Sequence, residues 1–177
     1  MPAKNKNKLY LIAHNIRSLH NVGSLFRTAD GAGVDKIILS GYTGSPPCQK
    51  ISKVALGAEE NVPFEKTEDI NSYIKDLKKQ GFKIIALETK SQGKNIYKFK
   101  PKFPLALLIG HEKRGLPAEI LELADQILEI PMRGQKKSLN VAVAAGVALY
   151  QILRDCHPSG DPPCLPQAGS GGRYLDI

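Results

Sequence analysis

The stretch Leu105-Ala106-Leu107-Leu108-Ile109-Gly110, running on into His111-Glu112-Lys113-Arg114-Gly115-Leu116-Pro117, sets the fold class. Apolar residues without polar alternation are what a parallel strand needs when helices cover both of its faces, so this run is expected in the middle of a sheet. It halts at a glycine and opens into a loop rich in charge, with Pro117 suited to a first helical turn. In open α/β sheets ligands bind just beyond the carboxyl ends of strands, which makes Gly110 and Glu112 candidates for gripping one. An ordinary strand-to-helix turn accounts for the same residues.

Outward from this run, strand-like segments recur at Leu9–Ala13, Lys36–Ser40, Lys83–Leu87 and Gln126–Pro131, with helical spacing between most of them. The class is therefore α/β, a parallel sheet covered by helices on both faces. A helix is expected from Asn21 as N-cap, with Val22, Leu25, Phe26 and Ala29 as its buried stripe and Gly23 and Arg27 on another face. A second is expected over Thr67 to Gln80, ended by Gly81. The last is expected from Ser138 to Arg154, where Ala142, Ala144, Ala145, Gly146 and Ala148 let another backbone, such as a second subunit, come close. Residues 1–156 read as one domain, and the stretch from His157 on, rich in proline and glycine, as a flexible tail.

With 42% hydrophobic and 24% charged residues the 177-residue chain has the composition of an ordinary soluble domain. No apolar run approaches a membrane span, and no secretory signal precedes Leu9, so a cytoplasmic protein is expected. Three cysteines, Cys48, Cys156 and Cys164, are odd in number and widely spaced, which supports neither a disulfide framework nor a zinc site. A net charge of +8 favours a polyanionic partner such as RNA, DNA or the ribosome, although solvated lysines alone produce the same balance.

Four familiar patterns fail on inspection. His111-Glu112 lacks the second histidine of a zinc hydrolase, since Gly115 stands there. Gly134-Gln135-Lys136-Lys137-Ser138 has neither the spacing nor the earlier glycine of a P-loop. Gly31-Ala32-Gly33 follows a helical segment, where a dinucleotide fingerprint would follow a strand. There is no G-x-S-x-G elbow, and His14, His20, His111 and His157 have no evident nucleophile partner.

Three segments carry the functional reading. In Asn15-Ile16-Arg17-Ser18-Leu19-His20-Asn21-Val22-Gly23-Ser24-Leu25-Phe26-Arg27 a glycine at a helix start leaves room for a ligand, and an arginine one turn on can reach a phosphate or a developing oxyanion. A cap, a packing glycine and a solvated arginine fit the same residues. The second segment is Leu107 to Pro117. The third, Ile130-Pro131-Met132-Arg133-Gly134-Gln135-Lys136-Lys137-Ser138-Leu139-Asn140, is a strand end, a basic loop and a cap before a helix of small residues. All three fall at strand-to-helix junctions, in order. Together they resemble the three motifs of the SpoU/TrmH-type methyltransferases, a branch of the SPOUT superfamily, over about Asn15 to Arg154.

The resemblance implies more than the residues do. By themselves they point to an ordinary doubly wound sheet, whereas the family implies a C-terminal deep trefoil knot and a homodimer. It implies transfer of a methyl group from S-adenosylmethionine to a ribose 2'-hydroxyl of tRNA or rRNA. It implies a cofactor site at Leu87, Glu88, Thr89, Gly110, Ile130, Met132, Ser138 and Leu139, with Arg27, Asn21, Glu112, Ser138 and Asn140 as the catalytic set. RNA contacts are expected from Arg17, Lys113, Arg114, Arg133, Lys136 and Lys137 and from a short basic lead, Lys4, Lys6 and Lys8, where many relatives carry a separate RNA-binding domain. Lysines interleaved with aromatics from Tyr97 to Phe103 fit either a base-stacking stripe or a strand with one solvated face. Methylation of a base nitrogen, and a related protein that binds RNA or assists ribosome assembly without turnover, are the rival readings.

Overall fold

The computed structural model describes residues 8–89 and 93–154. The leads at Lys4 and Lys6, the cysteines Cys156 and Cys164, and the tail from His157 lie outside the described residues. In chain order the elements are β1 (Leu9–His14), α1 (Leu19–Ala32), β2 (Lys36–Ser40), α2 (Gln49–Ala55), α3 (Ala58–Asn61), β3 (Phe64–Thr67) and α4 (Ile70–Lys79). There follow β4 (Lys83–Leu87), β5 (Lys94–Asn95), a 3₁₀ turn at Ile96–Lys98, β6 (Leu105–Ile109), α5 (Ala118–Leu121), β7 (Gln126–Glu129) and α6 (Val141–Arg154).

The strands form one sheet in the order β3-β2-β1-β6-β4-β7-β5, every neighbouring pair parallel. The unalternating run is β6, and it is the central strand, with Leu107 opposite Leu11 of β1 on one side and Ile85 of β4 on the other. Its side chains divide between two cores. Leu105, Leu107 and Ile109 pack with Leu25, Phe26, Ala145 and Leu149 of α1 and α6. Ala106 and Leu108 meet Ile74, Leu77 and Ile120 of α4 and α5 on the opposite face. Apolar residues at every position of β6 thus have a helix to face on either side.

The predicted stripe of α1 is buried as expected. Its N-cap is Ser18, whose hydroxyl accepts from the Asn21 amide, so Asn21 lies inside the first turn with its side chain free for other work. Gly23 makes room for α2 and not for a ligand: a Cβ there would lie 2.6 Å from the Ile51 carbonyl oxygen. α4 begins at Ile70 behind an Asp69 cap, because Thr67 closes the edge strand β3. α6 begins at Val141, and Asn140 caps it in place of Ser138, its Oδ1 accepting from the Ala142 and Val143 amides at 2.9 and 3.4 Å. The Tyr97–Phe103 segment is not a strand: Tyr97 projects from the 3₁₀ turn while Phe99 is buried. Among the described residues no helix is long and apolar enough to cross a membrane.

Candidate active site

The carboxyl ends of β4, β6 and β7 and the start of α6 converge on one cleft. Leu87, Glu88 and Thr89 leave β4, Gly110 to Lys113 leave β6, Ile130 and Met132 follow β7, and Ser138 and Leu139 precede α6. Every residue expected at the cofactor site therefore lines a single cavity. Leu87, Ile130, Met132, Leu139 and Val141 give it aliphatic walls, while backbone groups beyond the strand ends and the side chains of Thr89, Glu112 and Ser138 supply polarity. Aliphatic walls together with polar groups suit a nucleoside, whose ring faces are apolar and whose edges carry hydrogen-bonding atoms.

The loop after β6 is held in shape by Glu88. Its carboxylate is buried and accepts from the Thr89 amide and, across the chain, from the Leu116 amide, both at 2.8 Å. Gly115 lies over it at φ 69°, where a side chain would overlap that carboxylate. A Cβ on Gly110 would in turn lie 2.7 Å from the Gly115 backbone. The two glycines thus let the loop fold back on itself, closed by the His111–Gly115 bridge. His111 Nδ1 accepts from the Lys113 and Arg114 amides at 2.9 and 3.3 Å, leaving the ring proton on Nε2.

A chain of hydrogen bonds crosses the mouth of the cleft and joins all three sequence segments. Glu112 Oε1 accepts from Asn21 Nδ2 at 2.9 Å and from the Ser18 amide at 3.0 Å, and Oε2 accepts from the Arg17 amide at 3.2 Å. Asn21 Oδ1 accepts from Asn140 Nδ2 at 3.0 Å, and Asn140 Oδ1 caps α6. Partial burial would raise the Glu112 carboxyl, but the amides of Glu112 and Ser18, Asn21 Nδ2 and the Arg17 amide override it and hold the group below the usual carboxylate range. Glu112 is thus an anion that anchors the start of α1.

Comparison with known proteins explains this arrangement. The model of the SpoU rRNA Methylase family matches residues 8–150. The chain belongs to that family. It is 36% identical over 153 residues to the 23S rRNA (guanosine-2'-O-)-methyltransferase RlmB of Haemophilus influenzae, covering 86% of this chain and 62% of that protein. An AdoMet-bound rRNA methyltransferase from Sinorhizobium meliloti superposes with a TM-score of 0.78 at 29% identity, over 84% of this chain and 57% of that one. A protein whose structure concerns the 2-OH methylation of C/U34 on tRNA matches with a TM-score of 0.76 at 28% identity, over 85% of this chain and 97% of that chain. The chain spans about six-tenths of the length of the curated relatives it matches.

Within this SpoU-family domain, Asn21, Glu112 and Asn140 are brought together, and Ser138 lines the cleft beside them. Arg27 stands apart. It lies about 9 Å further along α1 than Asn21, exposed, outside the residues that line the cleft. Arg17, Lys113, Arg133, Lys136 and Lys137 are exposed around the mouth and the loop before α6, as is Arg114. The residues that sequence reading missed are those that hold the loops. Ser18, three residues before Asn21, is of a residue type that favours an N-cap, a local signal the sequence carried. The Glu88–Leu116 tie and the buried His14 had none, because their partners lie far away in the chain. His14 donates from Nδ1 to Ser40 Oγ at 2.9 Å and accepts from Asn15 Nδ2 at Nε2, and burial lowers its pKa although Glu119 opposes this.

Proposed function

We propose that this protein is an RNA methyltransferase that transfers a methyl group from S-adenosylmethionine to a ribose 2'-hydroxyl of tRNA or rRNA. The observation that carries the reading is the Glu112–Asn21–Asn140 chain of hydrogen bonds, which ties the three family motifs together beside a cleft with aliphatic walls and polar groups. We further propose that the chain works in the cytoplasm as a homodimer with its C-terminal part knotted. The family supports these three points, and α6 supports the dimer by leaving Val143 and Tyr150 exposed on one face.

When bound, the cofactor supplies an electrophilic methyl group on a sulfonium. Leu87, Ile130, Met132 and Leu139 would hold the cofactor's adenine, and backbone groups of the loops after β4, β6 and β7 would offer hydrogen bonds to its edge. A ribose hydroxyl is a poor nucleophile, so it must be held in line and its developing charge stabilised. Arg27, which a single chain leaves outside the cleft, takes that role together with an adjacent phosphate by reaching the cleft of a facing subunit in the proposed homodimer. A guanidinium keeps its proton too firmly to act as a base, so the hydroxyl proton leaves to phosphate or water. Asn21, Glu112, Ser138 and Asn140 orient the target nucleotide and the loops. The exposed cations around the mouth neutralise the RNA backbone.

The test is transfer of labelled methyl from S-adenosylmethionine to total tRNA and, separately, to rRNA. Label that resists alkaline cleavage, as a 2'-O-methyl nucleotide does, and disappears in Arg27→Ala is the expected result. An Arg27→Lys variant with full turnover would contradict the role given to the guanidinium. Binding of cofactor without labelling of either RNA would point to a more specific assembly as substrate, and no cofactor binding would favour a non-catalytic RNA-binding protein.

A further inference from the structure

Tyr42 is 57% exposed, yet the turn that carries it is firmly tied. Asn15 Oδ1 accepts from the Tyr42 amide at 3.2 Å, and Asn15 is itself fixed by its bond to His14. The next residue, Thr43, is fully buried: its Oγ1 accepts from the Ile16 amide at 3.0 Å and lies within hydrogen-bond distance of Ala13 O and Ser40 O. The Tyr42 ring meets His111 edge to face, with centroids 6.3 Å apart, and His111 lines the cleft. Its position relative to the cleft is therefore set by β1, β2 and the loop after β6 together. Single exposed aromatics are ordinary on protein surfaces, but one on a pinned turn, braced by a residue of the active-site cleft, is preorganised for contact.

Two cations are exposed nearby, Arg17 just beyond the Ile16 amide that ties the turn and Lys113 on the loop that carries His111, while the Glu112 carboxylate beside them is taken up by the Arg17 and Ser18 amides and Asn21. An exposed, fixed aromatic ring with exposed cations on the neighbouring segments suits an unpaired base whose flanking phosphates meet the cations while its ring lies on the tyrosine. Resting on the RNA-methyltransferase reading above, we propose that Tyr42 stacks an unpaired base of the substrate RNA at the mouth of the cleft, holding the strand so that the target ribose reaches the site. Stacking tolerates any base, so this contact positions the strand more than it selects a sequence.

The chain contains no tryptophan, so Tyr42→Trp introduces a single fluorescent reporter at this position. Its emission should fall on titration with a short single-stranded oligoribonucleotide and stay unchanged with an abasic strand of the same length, which carries the same phosphates. In parallel, Tyr42→Ala should weaken binding of the intact strand by roughly tenfold or more, Tyr42→Phe should retain it, and neither should alter affinity for S-adenosylmethionine. Equal responses to intact and abasic strands, or wild-type affinity in Tyr42→Ala, would overturn the stacking role while leaving the RNA reading intact. Failure of the wild-type protein to bind either strand at low salt would overturn both.

Discussion

Glu112 shows at the scale of one residue how this site joins stability to function. It accepts from two amides and an asparagine, so Glu112→Gln keeps the volume but turns an NH₂ toward donors that need an acceptor. We expect a loss of about 1–3 kcal/mol in unfolding free energy by urea titration and a fall in methyl transfer of more than about tenfold. The fall in rate should also appear in Asn21→Ala, and the double variant should lose less than the two single losses combined, because both act in one network. His14 gives a second expectation. Its ring is neutral in the fold and its pKa lies below the ordinary 6.5, so between those values the unfolded chain binds more protons. Stability is full above pH 6.5 and declines as pH falls below it, until the folded ring is protonated too. Urea midpoints measured across that range should slope in the wild type and flatten in His14→Gln. Glu112 loses its contribution only further into acid, below its ordinary 4.5, since its folded pKa is depressed.

At the scale of the element, α1 is both a packing unit and part of the site. Val22, Leu25, Phe26 and Ala29 were legible as its stripe because a helix buries residues three and four apart. Its start and its neighbour were not. Ser18 and Asn21 both suit a cap, and the structure assigns Ser18 to capping because Glu112, 91 residues beyond Asn21, engages the asparagine. Gly23 read as ligand space or as packing space, and α2 occupies that space. Gly23→Ala should therefore lower stability by about 1–3 kcal/mol as the two helices are forced apart. Gly134→Ala, with nothing within 4 Å of the added methyl, should stay within about 0.5 kcal/mol of wild type in the same urea assay.

Across the whole molecule the energetic centre is β6, packed on both faces. Leu107→Ala removes a fully buried side chain opposite Leu11 and Ile85 and should cost about 2–5 kcal/mol. By contrast, the edge ion pair Lys36–Glu65, with side chains 31% and 40% exposed, should cost no more than about 1 kcal/mol on Lys36→Ala, solvent screening included. A large difference between these two variants in urea midpoint is the expected outcome, and similar values would place the stability elsewhere. The sheet order puts β4, β6 and β7 side by side, and this adjacency makes one cleft out of residues as distant as Leu87 and Leu139.

From the sequence alone came the α/β class, the central strand, the stripe of α1 and the three segments that meet at the site, since each depends on local spacing or on burial at every position of a short run. Short edge strands escaped it. β3 carries Glu65 and Lys66 with half-exposed alternation, and β5 is only two residues long, so neither has the apolar run by which a strand is recognised. Only the tertiary structure decided which polar residue caps a helix and which serves the site, what fills the space beside Gly23, and that Glu88 ties a loop at Leu116. Those outcomes turn on partners 28 to 119 residues apart, which no local pattern can foresee.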